Sequence, residues 1–299
     1  GDVGQNTSIV HLPSGDLVSY YDVTHQALKI LLCPSVGLCS TPTPITTFAQ
    51  GAGRYSSLAA GLDGRGVIAF QGSPTGSLVV AHCSDVPCTV LDFQTGVDGA
   101  SGVGQYVSLA VGGDGFPIMS YYDATNGDLK VVHCSDATCS SRSASVLDTV
   151  GDVGRFTSLR IGSDGLGLIA YYDVTNGDLK IAHCSNPACS TATLAALDTA
   201  GDVGQYAALS IGGDGLGLVG YYDATNGDLK VAHCMSVVCS SATTATRDSA
   251  GDVGQYVSAV TGIDGFALLA YQDVTNADLK VAHCSNADCS ASTNAARDL

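Results

Sequence analysis

Residues Tyr121 to Ser140 read YYDATNGDLKVVHCSDATCS, and the phrase returns about every fifty residues: YYDVTNGDLKIAHCSNPACS from Tyr171, YYDATNGDLKVAHCMSVVCS from Tyr221, YQDVTNADLKVAHCSNADCS from Tyr271. Outward from it, a second recurring phrase opens each copy: GDVGQNTSIV at Gly1, GAGRYSSLAA at Gly51, SGVGQYVSLA at Ser101, GDVGRFTSLR at Gly151, GDVGQYAALS at Gly201 and GDVGQYVSAV at Gly251. A fixed period of this length, written in short strand-like runs, predicts a β-propeller. The 299 residues are one short of six fifties. They are therefore expected to form a single six-bladed domain, 1–299, with blades at about 1–50, 51–100, 101–150, 151–200, 201–250 and 251–299.

Each copy holds four strand signals separated by turn signals. In the third copy, strand A runs from Tyr106 to Gly112 and stops at Gly113-Asp114-Gly115. Strand B follows from Phe116 to Asp123, closed by Thr125-Asn126-Gly127-Asp128, where Asn-Gly supplies the positive φ of a hairpin turn. Strand C is Leu129 to Cys134, and strand D runs from Cys139 to about Leu147. The fold class is all-β, four antiparallel strands per blade. No segment has helical periodicity, and no apolar run approaches the 18 or so residues that span a bilayer. A chain that starts at Gly1, with neither Met nor a basic and apolar leader, is expected to be a mature, processed form or a trimmed piece.

Twelve cysteines fall as one pair per copy: Cys33 and Cys39, Cys83 and Cys88, Cys134 and Cys139, Cys184 and Cys189, Cys234 and Cys239, Cys284 and Cys289. Each pair flanks the C–D turn, where the sulfurs can meet across a hairpin at a Cα separation of about 5.5 Å. Six local disulfides follow, and with them an oxidising compartment: secreted, cell surface or periplasm. Zinc is the competing reading, but each blade offers only two thiols and at most one histidine on the other side of the strand, short of four convergent ligands.

In five of the six copies a histidine precedes the first cysteine, namely His82, His133, His183, His233 and His283, while Leu32 stands there in the first copy. With strands about 4.8 Å apart and an inner radius of about 8 Å, strand C lies about 18 Å from the axis, so neighbouring histidines cannot share an ion. They are expected to pack between blades with one nitrogen on a backbone carbonyl. The repeated D-x-T-N-G-D gives Asp123, Asn126 and Asp128; Asp173, Asn176 and Asp178; Asp223, Asn226 and Asp228; Asp273, Asn276 and Asp278, joined by Asp2, Asp152, Asp202 and Asp252 in the D–A loops of the same rim. Gathered oxygens suit Ca²⁺, whereas Asp and Asn in such turns also bond their own backbone amides, and the spacing lacks the D-x-D-x-D-G ladder. No cofactor is required by the sequence, and Ca²⁺ is the one ion it makes room for.

The strand, D-G, strand, N-G-D, strand cadence resembles the six-bladed extracellular propellers that include fucose-binding lectins and sialidase-like rings. At residue level the chain departs from them. Those lectins stack sugars on Trp, absent here, and pair Arg with Glu in each blade gap, so no family binding residue carries over. Hydrolases of this class use an arginine cluster; here only Arg160 lies on an innermost strand, where other copies have Ala110, Ser210 or Val260. The expected function is a non-enzymatic binding or structural module for a glycan or an extracellular protein. One alternative is a lectin using clefts around Tyr122, Tyr172 and Tyr222; the other is a glycoside hydrolase with its site at the axial mouth near Arg160. A net charge of −16 disfavours nucleic acid. No oligomeric state follows from the sequence.

Overall fold

A computed structural model of the protein describes residues 1–34, 43–47, 51–85 and 88–297, and the chain is all-β over them. Blade one comprises β1 (Val3–Leu12), β2 (Gly15–Asp22), β3 (Ala27–Pro34) and β4 (Thr43–Thr47). Blade two comprises β5 (Arg54–Ala60), β6 (Gly66–Gln71), β7 (Leu78–Cys83) and β8 (Leu91–Asp98). Blade three is β9 (Gln105–Val111), β10 (Pro117–Asp123), β11 (Asp128–Cys134) and β12 (Arg142–Asp148). Blade four is β13 (Val153–Ile161), β14 (Gly167–Asp173), β15 (Asp178–Cys184) and β16 (Ala192–Asp198). Blade five is β17 (Val203–Ile211), β18 (Gly217–Asp223), β19 (Asp228–Cys234) and β20 (Ala242–Asp248), and blade six is β21 (Val253–Thr261), β22 (Ala267–Asp273), β23 (Asp278–Cys284) and β24 (Ser292–Ala296). Each blade is its own four-stranded antiparallel sheet in sequence order, the blade unit of a six-bladed β-propeller.

The chain divides into two compact units, Gly1–Val146 with Pro187–Ser190, and Leu147–Asn186 with Thr191–Leu299. In the first, the faces of blades two and three meet through Val67, Leu78, Val80, Leu109, Met119 and Tyr121. In the second, blades four and five share Leu168, Leu179, Ile181, Val203, Leu209 and Tyr221, and blades five and six share Leu218, Leu229, Val231, Val253, Leu269 and Tyr271. The B strand of blade five is buried at every position, because blades four and six cover its two faces, and the B strands of blades three and four are buried throughout as well. Each large apolar side chain withdrawn in this way contributes about 1.5 to 3 kcal/mol.

The turns explain where the strands end. At the A–B hairpin the Asp114 carboxylate accepts from the Phe116 N–H (3.2 Å) while the Gly112 N–H donates to Phe116 O (2.8 Å). At the B–C hairpin Asp123 pairs with Asp128, and the Gly127 N–H returns to Asp123 O (2.8 Å). Gly127 of the Asn-Gly pair supplies the positive φ of this turn, at +76°. Strand D starts at Arg142, three residues later than the sequence suggests, because Cys139 sits in the turn at φ +58°.

The disulfides lie where the spacing placed them. Cys83–Cys88, Cys134–Cys139, Cys234–Cys239 and Cys284–Cys289 have Cα separations of 4.7 to 4.9 Å, and Cys184 and Cys189 are disulfide-bonded too. Cys33 is likewise bonded, while Cys39 lies outside the described residues. No cysteine is free among the described residues.

Strand A carries a feature that the sequence does not announce. Tyr55, Tyr106, Phe156, Tyr206 and Tyr256 all hold φ between +52° and +55°, in a bulge where the A–B register slips. Bulky residues rarely adopt this conformation. The rings repay it by packing on each other, with centroids 4.7 Å apart for Phe156 and Tyr206 and 4.5 Å for Tyr206 and Tyr256.

Blade six replaces the turn glycine with Ala277, which is forced to φ +60°. A left-handed residue with a Cβ costs about 1 to 2 kcal/mol. Ala277→Gly is therefore expected to stabilise the protein by about 1 kcal/mol in urea unfolding, after the greater flexibility of unfolded glycine is subtracted. An unchanged or lower midpoint would show that the turn carries no such strain.

Candidate functional site

The B–C turns and D–A loops form one rim of each blade, as their contacts show. The Asp152, Asp202 and Asp252 N–H groups donate to Thr175, Thr225 and Thr275 Oγ1, each at 2.7 Å. The carboxylates of these loop aspartates reach outward from their own turns. Asp202 accepts from Tyr172 of the preceding blade (2.6 Å) and from Gln205; Asp252 accepts from Tyr222 (2.8 Å); Asp152 pairs with Arg155 at 2.8 Å. Burial, together with the Asp202 carboxylate, pushes the Tyr172 phenol up to about 12.

Tyr122, Tyr172 and Tyr222, expected to line ligand clefts, are buried, and the hydroxyls of Tyr172 and Tyr222 are committed to these aspartates. Arg160 lies on β13, half-buried, and its Nη1 donates to Leu159 O (2.8 Å). Burial holds its pKa below the usual guanidinium range, and no carboxylate pairs with it among the described residues.

The D-x-T-N-G-D carboxylates divide into two kinds. Asp173 is buried and occupied by its own turn: Asn176 N–H donates to Oδ1 (3.0 Å) and Asn176 Nδ2 to Oδ2 (2.9 Å), with Lys180 Nζ at 3.6 Å. Asp123, Asp223 and Asp273 receive the same pair of bonds from Asn126, Asn226 and Asn276. The second carboxylate of the motif is different. Asp178 and Asp228 are half-buried and accept no side-chain hydrogen bond among the described residues, and burial plus the facing charge of Asp173 or Asp223 pushes each pKa up. Asp128 and Asp278 occupy the same position in blades three and six. Among the described residues no three His, Cys, Asp or Glu side chains converge as metal ligands.

A further cluster, which the sequence reading missed, ties consecutive repeats. Asp148, at the end of strand D, accepts from the Tyr171 hydroxyl (2.8 Å) and from Lys180 Nζ (2.5 Å) of the next repeat, with Lys180 Nζ 5.6 Å from the Tyr171 ring centroid. Asp198 with Tyr221 and Lys230, Asp248 with Tyr271 and Lys280, and Asp98 with Tyr121 and Lys130 repeat it. Burial alone would raise the Asp148 pKa, but the Lys180, Tyr171 and Val150 hydrogen bonds outweigh it and hold it below the usual carboxylate range. The recurring spacing of strand-D Asp, strand-B Tyr and strand-C Lys was the available signal.

The histidines also need correction. Their partner is a carboxylate of the A–B turn, not a backbone carbonyl: His183 Nε2 lies 2.8 Å from Asp164, and His82, His133, His233 and His283 lie 2.9 Å from Asp63, Asp114, Asp214 and Asp264. The strand-C histidine and the A–B turn aspartate stand at the same end of the blade, which fixes the turn against strand C.

No protein family and no curated protein matches the chain. Solved structures share its fold at low identity. An α-L-arabinofuranosidase mutant from Fusarium graminearum, in complex with an iminosugar inhibitor, is 12% identical with a TM-score of 0.58, over 99% of this chain and 93% of that one. The fucose-specific lectin of Aleuria aurantia is 13% identical with a TM-score of 0.55, over 93% and 90%. A leech intramolecular trans-sialidase is 10% identical with a TM-score of 0.63, over 89% of this chain and 64% of its own. Lectin and sialidase propellers are thus among the structural neighbours, and the likeness defines the fold.

Two pH-dependent outcomes follow. Asp148, with its lowered folded pKa, contributes stability that is present above the ordinary carboxylate pKa of about 3.9 and is lost as pH falls through the folded value. Lys180→Met, which strands two buried carboxylates, should lower stability by about 3 kcal/mol at pH 7 and by progressively less in acid. Asp178 has the opposite sign: its raised folded pKa makes the ionised form a cost that appears as pH rises through the carboxylate range. Asp178→Asn should raise the melting temperature at pH 7 and leave it unchanged below about pH 3. Equal shifts at both pH values would refute the electrostatic assignment.

Proposed function

We propose that the protein is a non-enzymatic binding module that recognises glycans at rim sites repeated from blade to blade. The observation that carries this reading is the pair Asp178 and Asp228, half-buried carboxylates that accept no side-chain hydrogen bond among the described residues. Beside each stands the exposed amide of Asn176 or Asn226, whose nitrogen is occupied and whose oxygen remains to accept. A cluster of acceptors without donors suits a ligand rich in hydroxyl groups, which donate to carboxylate and amide oxygens. Multivalent display turns weak single-site contacts into useful avidity.

Catalysis is less well supported, because Asp178 and Asp228 repeat from blade to blade and do not form one asymmetric site. The disulfides fit an oxidising, extracellular setting in which glycans are accessible. No helix among the described residues is long and apolar enough to cross a membrane.

The test is a glycan array followed by titration calorimetry on the best ligand, with and without chelator. Binding to more than one site per chain is expected. The double substitution Asp178→Asn and Asp228→Asn should weaken it at least tenfold while raising thermal stability. Chelator-sensitive binding would reassign these carboxylates to Ca²⁺. The absence of any glycan ligand, or turnover of chromogenic glycosides, would overturn the reading.

A further inference from the structure

The copies are so alike that a position where one of them departs is informative, and strand D holds such a position. In blade four Leu179 pairs with Asp198 and Lys180 with Ala196, so Leu197 is the extra residue of a β-bulge. Leu197 packs half-buried against the core shared by blades four and five. In blade five the register is the same, Leu229 with Asp248 and Lys230 with Thr246, but the bulged residue is Arg247. Its neighbours change with it: Ala196-Leu197-Asp198-Thr199 becomes Thr246-Arg247-Asp248-Ser249.

A leucine in that bulge needs only an apolar wall, whereas an arginine brings a charge that it keeps at any accessible pH. The aliphatic stem can cover the surface that leucine covers, and the guanidinium must then find partners of its own. It has none. The guanidinium makes no hydrogen bond and no ion pair among the described residues, and its Nε is buried. Other cations of the same unit are engaged: Lys180, Lys230, Lys280 and Arg155 each meet an aspartate, and Arg160 donates to a backbone carbonyl. Asp248, next to Arg247, is already taken by Tyr271, Lys280 and the Ala250 N–H.

A concavity of about 480 Å³ opens at this point, lined by Thr246, Arg247, Asp248, Ser249 and Ala250. Thr246 and Ser249 are exposed, and their hydroxyls make no hydrogen bond among the described residues. Donors therefore predominate: a guanidinium and two free hydroxyls, beside one carboxylate that is saturated. Asn294 Nδ2 of blade six donates to Arg247 O (2.7 Å) and holds the bulge in place. All of these residues belong to one compact unit.

We propose that Arg247, Thr246 and Ser249 form an oxyanion-binding site on blade five, one that takes a carboxylate or a sulfate group. A guanidinium presents paired N–H donors at the spacing of two oxygens of such a group, and a partly buried site strengthens each charge-assisted bond. The anion supplies the charge that no carboxylate of the chain brings to Arg247. The field of a chain carrying −16 opposes anions at long range, so binding depends on direct contact with the guanidinium. The site lies on strand D, apart from the B–C turns that carry Asp178 and Asp228, and does not rest on the reading of those turns.

Nitrogen-correlated proton NMR spectra of the full chain test this, through the Arg247 Nε–H and the Ser249 backbone N–H. Sodium sulfate and sodium glucuronate are the probes, at constant ionic strength, with glucose as the neutral control. At least one anion should shift both signals saturably, and glucose should shift neither. In Arg247→Leu the Ser249 signal should no longer respond; leucine stands in this bulge in blade four, so the variant is expected to fold, as circular dichroism would verify. Arg247→Lys, which keeps the charge and loses the paired donors, should weaken the response at least tenfold. Response to sulfate alone identifies a free inorganic ion as the ligand, and response to glucuronate identifies the acidic group of a sugar; the oxyanion site stands in either case. The double variant Asp178→Asn and Asp228→Asn should retain the response, so a protein that binds no glycan at those turns still tests this site on its own. No saturable shift with either anion, or an undiminished Ser249 response in folded Arg247→Leu, overturns the proposal.

Discussion

At the end of strand D, Asp98, Asp148, Asp198 and Asp248 each accept a tyrosine hydroxyl and a lysine ammonium from the next repeat, together with a backbone N–H two residues on in their own loop. A carboxylate taken out of water is costly, and only a set of donors meeting it together compensates. Here the donors come from two strands of the following blade, so the charge is satisfied only when that blade sits in its correct register. Apolar faces alone would not achieve this. The blade faces are built from near-identical Leu, Val, Ala and Tyr, and a slipped stacking would bury almost as much surface. It would also leave an aspartate and a lysine buried and unpaired, so the latch discriminates between packings rather than adding much net stability.

Once that register is set, the rest of the rim follows from it. Tyr171 and Tyr172 are neighbours on β14 with opposite orientations: one reaches back to Asp148 of the repeat before, the other forward to Asp202 of the repeat after. Each blade is therefore held on both sides by adjacent residues, and the B–C turn between them has a fixed position. The disulfide acts at the opposite end of strand C, where it closes the C–D turn around a left-handed cysteine. The His–Asp pair secures the A–B turn at that same end. Chemistry on the two rims differs accordingly, with covalent and His–Asp ties on one and hydrogen-bonded aspartates on the other.

The period and the turn residues were enough to read six blades of four strands, and the even pairing of cysteines was enough to read the disulfides, because those features depend on contacts local in sequence. What remained hidden depends on neighbours about 20 to 50 residues away. Asp148 looks like any turn aspartate until Tyr171 and Lys180 are brought to it. His183 gave no hint that its partner would be Asp164, since the two meet only when strand A folds back on strands B and C. The left-handed φ of Phe156 and Tyr206 violates local preference outright, and no single-residue propensity predicts a bulge stabilised by aromatic packing between blades. Tyr172, read as lining a cleft, proved to be a strut for the same reason: its hydroxyl finds Asp202 thirty residues on.

Among the aspartates of the rim, most have a structural task that can be named: Asp173 closes a turn, Asp202 joins two blades, Asp148 anchors a register. Asp178 has none. It faces Asp173 across the hairpin, its ionised form is disfavoured by that charge and by partial burial, and the strand would form as well with a neutral residue there. The same residue type stands at Asp128, Asp228 and Asp278. A side chain whose charge works against its own blade, as at Asp178 and Asp228, is the kind of local inconsistency found where a protein meets something else. The acceptor it offers, with the oxygen of Asn176 in the same turn, is the feature on which the proposed binding of hydroxyl-rich ligands rests.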